Sequence, residues 1–170
     1  MTGRFLSEPF GAYHQAVMPP VDDTLVRVGP GTPGGEYLRR FWHPFLHVEE
    51  LGDLPLSMRL LGEDLVAFRD GSGRIGLLEK HCAHRGTSLE FGKIEERGIR
   101  CCYHGWLFDV DGTILEAPPE RDGNPYVGKL CQGAYPVHAY KGLLFAYLGP
   151  PHKKPPFPLY DLTENPEFSV

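Results

Sequence analysis

Apolar residues in this chain fall into short clusters cut by glycine-bearing turns, with no long stretch at helical spacing. Segments 57–61, 65–69, 74–78, 99–101, 106–110, 113–116, 134–140 and 143–148 each read as a short strand. Asp70-Gly71-Ser72-Gly73, Asp111-Gly112 and Lys141-Gly142 are turn signals that join neighbours into hairpins. Residues 45–49 are weaker strand material, and residues 24–28 read as a β segment ahead of the glycine-rich turn at 29–35. One helix is expected, over 36–42, beginning after those glycines and stopped by Pro44. Many short strands at even spacing predict an all-β antiparallel sandwich or small barrel.

Composition narrows the class. The 170 residues suit one domain, with 41% hydrophobic and 12% aromatic residues to fill a core. The 21 glycines and 17 prolines agree with a turn-rich chain. A net charge of −5 without a basic stripe argues against nucleic acid as a partner. No apolar run suits a signal peptide or a membrane span, so the chain is expected in the cytoplasm. In that compartment the four cysteines are expected as ligands or free thiols.

Two loops carry the chemistry. Cys82-Ala83-His84-Arg85-Gly86 and Cys101-Cys102-Tyr103-His104-Gly105-Trp106 together read C-x-H-x16-C-x-x-H. Each loop offers a thiolate and an imidazole. A structural zinc site more often draws a Cys pair from one loop and its remaining pair from another. Mixed loops suit two bridged irons, one held by both Cys and one by both His, the arrangement of a Rieske 2Fe–2S centre. The residues leave one ambiguity, since Cys102-Tyr103-His104 also reads C-x-H.

The stretch from Cys82 to Phe108 resembles the Rieske segment of bacterial ring-hydroxylating oxygenases, most of all the phthalate 4,5-dioxygenase and phenoxybenzoate dioxygenase kind. The likeness extends to residues 26–46, 60–82 and 134–150. It implies an antiparallel Rieske-type β-sandwich with a small cluster-binding subdomain and one short N-terminal helix. It also implies Cys82 and Cys101 on one iron, with His84 and His104 on the other. The family cysteine stands three residues before its histidine, which favours Cys101 over Cys102. Arg85, Gly86, Tyr103, Gly105 and Trp106 would surround the cluster, the glycines letting the chain bend and its N–H groups approach the sulfides. Respiratory-type Rieske proteins carry hydroxyl donors after the second His, where this chain has Gly105-Trp106-Leu107-Phe108. Fewer donors to sulfur places the potential toward the low end of the roughly −150 to +300 mV Rieske range.

The resemblance divides the chain into an arm over 1–23, the Rieske domain over 24–149 and a Pro-rich linker over 150–170. The linker would lead to a C-terminal catalytic domain holding a mononuclear Fe(II), which lies outside this sequence. No D/E-x2-H-x4–5-H pattern occurs, so the chain as given is expected only to transfer electrons, while the parent would be an oxidoreductase acting on aromatic compounds. A flavin/iron–sulfur reductase would donate the electron. The acceptor would be the catalytic iron domain of the same or a neighbouring subunit of a homotrimer. A stand-alone Rieske ferredoxin-like carrier is the alternative. Cys131, His14, His43, His47, His81, His138 and His152 lie outside the ligand pattern.

Overall fold

The computed structural model describes Pro9, residues 22–118 and residues 126–165. The expected arm thus lies almost wholly outside the described residues, as does the end of the 150–170 segment. At the start of the described chain, the Asp22 carboxylate accepts the Thr24 N–H at 2.9 Å and begins α1 (Asp23–Val26). This replaces the strand expected over 24–28. On an exposed segment with no sheet neighbour, a side-chain cap outweighs the β preference of Thr and Val.

Helix α2 (Pro33–Leu38) starts at Thr32, whose hydroxyl accepts the Gly35 N–H at 3.1 Å, with Pro33 in the first turn. The helix expected over 36–42 therefore begins three residues earlier and ends at Leu38. Glycines read as a turn form its first turns. Strand β1 (Trp42–His47) follows and includes Pro44. Proline is tolerated there because β1 is an edge strand, and a register shift falls between Pro44 and Leu46.

The remaining strands are β2 (Leu56–Leu60), β3 (Glu63–Arg69), β4 (Ile75–Glu79), β5 (Lys93–Ile94), β6 (Ile99–Arg100), β7 (Leu107–Phe108), β8 (Ile114–Glu116), β9 (Val137–Tyr140) and β10 (Leu143–Tyr147). They form three antiparallel sheets, ordered β1-β10-β9, β2-β3-β4 and β5-β6-β7-β8. Strands β3 and β4 of the middle sheet are buried on both faces. Leu65, Ala67 and Leu77 pack with Leu144, Ala146 and Leu148 of the first sheet's side. Val66, Phe68 and Leu78 pack with Leu89, Ile99, Trp106, Phe108 and Ile114 of the small sheet's side. Successive strand side chains point to opposite faces, so β3 needs apolar residues at four consecutive positions. The all-β expectation holds, and the small four-stranded sheet is the expected subdomain.

Charged groups fasten the small sheet to the middle one. The buried Asp70 carboxylate, in the β3–β4 turn, accepts the Gly98 N–H at 3.2 Å and pairs with Arg74 at 2.6 Å. The buried Asp109, just beyond β7, pairs with Arg74 at 2.8 Å and Arg97 at 2.5 Å. Burial alone would raise the Asp70 carboxyl, but bonds from Ser72, the Arg74 and Gly98 amides and the Arg74 guanidinium hold it below its ordinary value. Asp109 is lowered in the same sense by Arg97, the Val110 amide and Arg74.

Beyond β10 the Pro-rich tract makes a 3-10 turn (Pro151–Lys153) and then runs extended. The Phe157 ring sits among His138, Phe145, Tyr140 and Trp42, and the Trp42 indole N–H donates to the Pro155 carbonyl at 3.2 Å. The described residues close with α3 (Asp161–Glu164) and Asn165. No helix among the described residues is long and apolar enough to cross a membrane.

Candidate metal centre

Strand β4 leads almost directly into the first loop, and β6 and β7 flank the second. The two loops are the same turn built twice. In the first, Cys82 N–H donates to the Thr87 carbonyl at 2.9 Å and Gly86 N–H to the Cys82 carbonyl at 2.8 Å. In the second, Cys101 N–H donates to the Trp106 carbonyl at 2.8 Å and Gly105 N–H to the Cys101 carbonyl at 3.1 Å. Gly86 has φ +73° and Gly105 has φ +72°. The turn therefore makes Cys101, not Cys102, the counterpart of Cys82. The histidines occupy different places in it, third in the first loop and fourth in the second.

At both glycines the backbone makes the bend that was expected. A side chain at Gly86 would meet no atom within 4 Å, and one at Gly105 would come no nearer than 3.6 Å to Pro118. The left-handed backbone, not crowding by the rest of the chain, calls for glycine at both positions.

These turns sort the donors into two pairs. Cys82 and Cys101 are buried with their thiols in contact, while Cys102 and Cys131 are exposed. Burial among apolar side chains pushes the Cys82 thiol up to about 11, opposed by the His84 and Arg85 N–H groups, which donate to its sulfur. The His84 and His104 rings lie 4.7 Å apart, centroid to centroid. Both are half-buried. Among the described residues no three His, Cys, Asp or Glu side chains converge on one point. Two sulfur donors side by side and two nitrogen donors side by side match the donor set of a two-iron cluster, with two protein ligands per iron.

The surrounding residues divide. Trp106 is 4% exposed and stacks on His84, with centroids 4.6 Å apart and planes 3° apart. Its buried indole N–H has no partner within the described chain. Tyr103 is 62% exposed and covers His104, with ring centroids 3.7 Å apart. Arg85 is exposed at the rim of a cavity of about 480 Å³ that His84, Trp106, Tyr126 and Cys131 also line. The other described histidines stay outside the pair: His81 Nδ1 meets the Gly86 carbonyl at 3.0 Å, and His43 Nε2 the Leu38 carbonyl at 2.7 Å. One residue that sequence reasoning passed over reaches the first loop from far along the chain. Gln132 is buried, and its amide bonds to the backbone at Glu79, His81 and Ala83. No spacing or residue pattern marks it in the sequence.

Comparison with known proteins agrees with this geometry. Residues 41–140 match the family described as Rieske [2Fe-2S] domain. The chain is 56% identical over 142 residues to the oxygenase subunit of tert-butanol monooxygenase / tert-amyl alcohol desaturase of Aquincola tertiaricarbonis, covering 84% of this chain and 30% of the relative. It is 53% identical over 157 residues to phenoxybenzoate dioxygenase subunit alpha of Ectopseudomonas oleovorans, covering 92% of this chain and 38% of the relative. Among solved structures it superposes on dicamba monooxygenase bound to dicamba with a TM-score of 0.66 at 26% identity, over 76% of this chain and 41% of that one. It also superposes on a reduced oxygenase–ferredoxin complex of carbazole 1,9a-dioxygenase with a TM-score of 0.60 at 28% identity, over 78% and 33%. The chain thus spans about a third of the length of these relatives. Paired thiols and paired imidazoles on twin turns, with a matching family signature across most of the sheets, lead to one assignment: the chain belongs to the Rieske [2Fe-2S] domain family.

Proposed function

We propose that this chain is the electron-relay portion of the oxygenase subunit of a Rieske non-haem iron oxygenase. Cys82 and Cys101 hold one iron of a 2Fe–2S cluster, and His84 and His104 hold the other. The observation that carries this reading is the sorting of donors by twin turns into a buried Cys pair and a half-buried His pair. When bound, the cluster takes up and gives back one electron at a time.

The chain's own residues prepare that exchange. The apolar packing around Cys82 and Cys101 keeps water from the thiolate end. The imidazoles are the end nearer the surface, so partners meet the protein there, at Tyr103 and Arg85. The His84 and Arg85 N–H groups donate to the Cys82 sulfur and favour its charged form. Trp106 fixes the plane of the His84 ring by stacking.

A flavin or iron–sulfur reductase, or a ferredoxin, donates the electron; a relative of known structure is solved with ferredoxin. The acceptor is a mononuclear iron in a catalytic domain of the same or a neighbouring subunit of a homotrimer. The domain runs over residues 24–149, and the Pro-rich segment leads toward that catalytic part. Relatives named for an alcohol, an aromatic acid and a methylxanthine share this portion, so substrate choice lies elsewhere in the parent. An immunoblot of the native cell tests the parent. A band at about twice 19.0 kDa or more supports an oxygenase subunit, and a band at 19.0 kDa replaces this reading with a stand-alone carrier.

A further inference from the structure

Gln132 is 2% exposed and stands between exposed Cys131 and Gly133, far from either ligand loop in sequence. Its side-chain amide is fully used. Oε1 accepts the Ala83 N–H at 2.7 Å. Nε2 donates to the His81 carbonyl at 2.9 Å and to the Glu79 carbonyl at 3.0 Å.

The three bonded positions, 79, 81 and 83, alternate along the chain. That alternation is how one edge of an extended segment presents its backbone groups to a neighbouring strand. The neighbour does pair with β4 up to this point, through Tyr135 N–H to Leu77 O at 2.9 Å and Glu79 N–H to Gly133 O at 2.8 Å. Past Glu79 the side chain of Gln132 takes over the role of the partner backbone. The last of its bonds falls on Ala83, the residue between Cys82 and His84.

The same residue reaches the second half of the site. Its backbone N–H donates to the Gly112 carbonyl at 2.7 Å, and its neighbour Cys131 bridges Thr113. Gly112 and Thr113 form the turn of the β7–β8 hairpin, which begins directly after the second loop. Gln132 therefore connects the loop carrying Cys82 and His84 with the hairpin that continues from Cys101 and His104.

We propose that Gln132 is a positioning residue for the cluster, setting the first loop's Cys82 and His84 against the second loop. The proposal rests on the ligand assignment given above. Removal of the amide leaves the Ala83 N–H of the loop, and the Glu79 and His81 carbonyls that lead into it, without their partner, beside a buried side chain where such groups are costly. The loop then holds its two ligands less firmly, and partners that orient ligands typically change metal affinity about 10–100-fold.

The test compares the holoprotein with Gln132→Met, which keeps the volume and removes all three bonds, and with Leu144→Ala in the opposite apolar cluster as a control for lost stability. Two readouts are taken well below the melting temperatures: the rate of iron release to a chelator, and the electron paramagnetic resonance spectrum of the reduced protein. Gln132→Met is expected to release iron about tenfold faster or more and to shift the spectrum. Leu144→Ala is expected to melt earlier with both readouts at wild-type values. An unchanged spectrum in Gln132→Met, or release no faster than in Leu144→Ala, overturns the proposal. If Gln132→Met does not fold, Gln132→Asn carries the test by the same two criteria, because its amide is one methylene too short to reach all three groups. The ligand assignment fails separately, if the wild-type protein lacks a two-iron, two-sulfide cluster.

Discussion

The indole of Trp106 lies flat against the imidazole of His84, with ring planes 3° apart and centroids 4.6 Å apart. One residue thus belongs to both the core and the candidate metal centre. It fills the apolar cluster with Phe108 and Ile114 while fixing the orientation of His84, a proposed ligand. Trp106→Ala is expected to cost about 3–5 kcal/mol of stability, as large aromatic truncations in cores do. Trp106→Phe keeps a stacking face and removes an indole N–H that has no partner among the described residues, so its cost is expected below about 1.5 kcal/mol. Urea denaturation of the two variants measures the difference. Equal losses in both would show that the ring's size, and not its stacking, matters.

The twin turns separate two neighbouring cysteines. Cys101→Ala is expected to abolish the visible absorption of the cluster, because it removes the counterpart of Cys82. Cys102→Ala is expected to leave the absorption in place, because that thiol is exposed and stands where Ala83 stands in the first loop. A colourless Cys102→Ala protein would sink the assignment.

Much of this was legible in the sequence, and the failures have particular causes. Hairpins announced themselves where Asp70-Gly71-Ser72-Gly73 and Lys141-Gly142 punctuate apolar runs, since turn chemistry is local. The Rieske family was legible because mixed Cys/His spacing in two loops is itself a chemical statement. The start of α2 was misplaced because Pro33-Gly34-Gly35 looks like a turn until the Thr32 cap is counted. The first half of β1 was hidden by Pro44, whose tolerance depends on β1 lying at an edge, and the strand read over 45–49 meets only its second half. Gln132 was invisible because its role depends on contacts with residues about fifty positions away, which no local pattern encodes.

Acid should loosen the attachment of the small sheet. Asp70 and Asp109 are both held below the ordinary carboxylate value. A lowered folded-state pKa contributes stability that is present above the unfolded value, about 3.9, and is lost as pH falls through the folded values. Melting temperature is therefore expected to fall steeply below about pH 4. Asp109→Asn should flatten that acid limb while lowering stability at neutral pH, since it leaves Arg97 and Arg74 without their shared partner. Parallel acid limbs in variant and wild type would contradict this account.

A second buried charge cluster joins α2 to the middle sheet. The buried Arg39 guanidinium pairs with Glu63 and donates to the Leu61 carbonyl at 2.8 Å, and the Tyr135 hydroxyl donates to the same carboxylate. Burial, followed by the hydrogen bond to Glu63, raises the Tyr135 phenol above its usual range. Glu63→Ala is expected to cost about 3–5 kcal/mol, because it takes the close carboxylate from a buried guanidinium, leaving it only Glu36 at 3.9 Å, and leaves the Tyr135 hydroxyl without its acceptor. The double replacement Arg39→Met with Glu63→Leu is expected to recover most of that loss. A double variant as unstable as the sum of the singles would show that the pair is not coupled.

The cluster should sit at the low end of the Rieske range of potentials. After His104 the chain offers Gly105-Trp106-Leu107-Phe108, none with a hydroxyl, and the donors identified at Cys82 are backbone N–H groups. Protein-film voltammetry is expected to give a midpoint below zero, toward roughly −150 mV. A midpoint well above zero would contradict the reasoning from hydrogen-bond donors.

The most direct measurement combines metal analysis with pulsed electron paramagnetic resonance on the reduced protein. About two irons and two acid-labile sulfides per chain are expected, with two imidazole nitrogens coupled to the unpaired electron, and loss of one nitrogen coupling in His84→Cys or His104→Cys. One zinc per chain without sulfide, or a two-iron cluster with no nitrogen coupling, would contradict the ligand assignment.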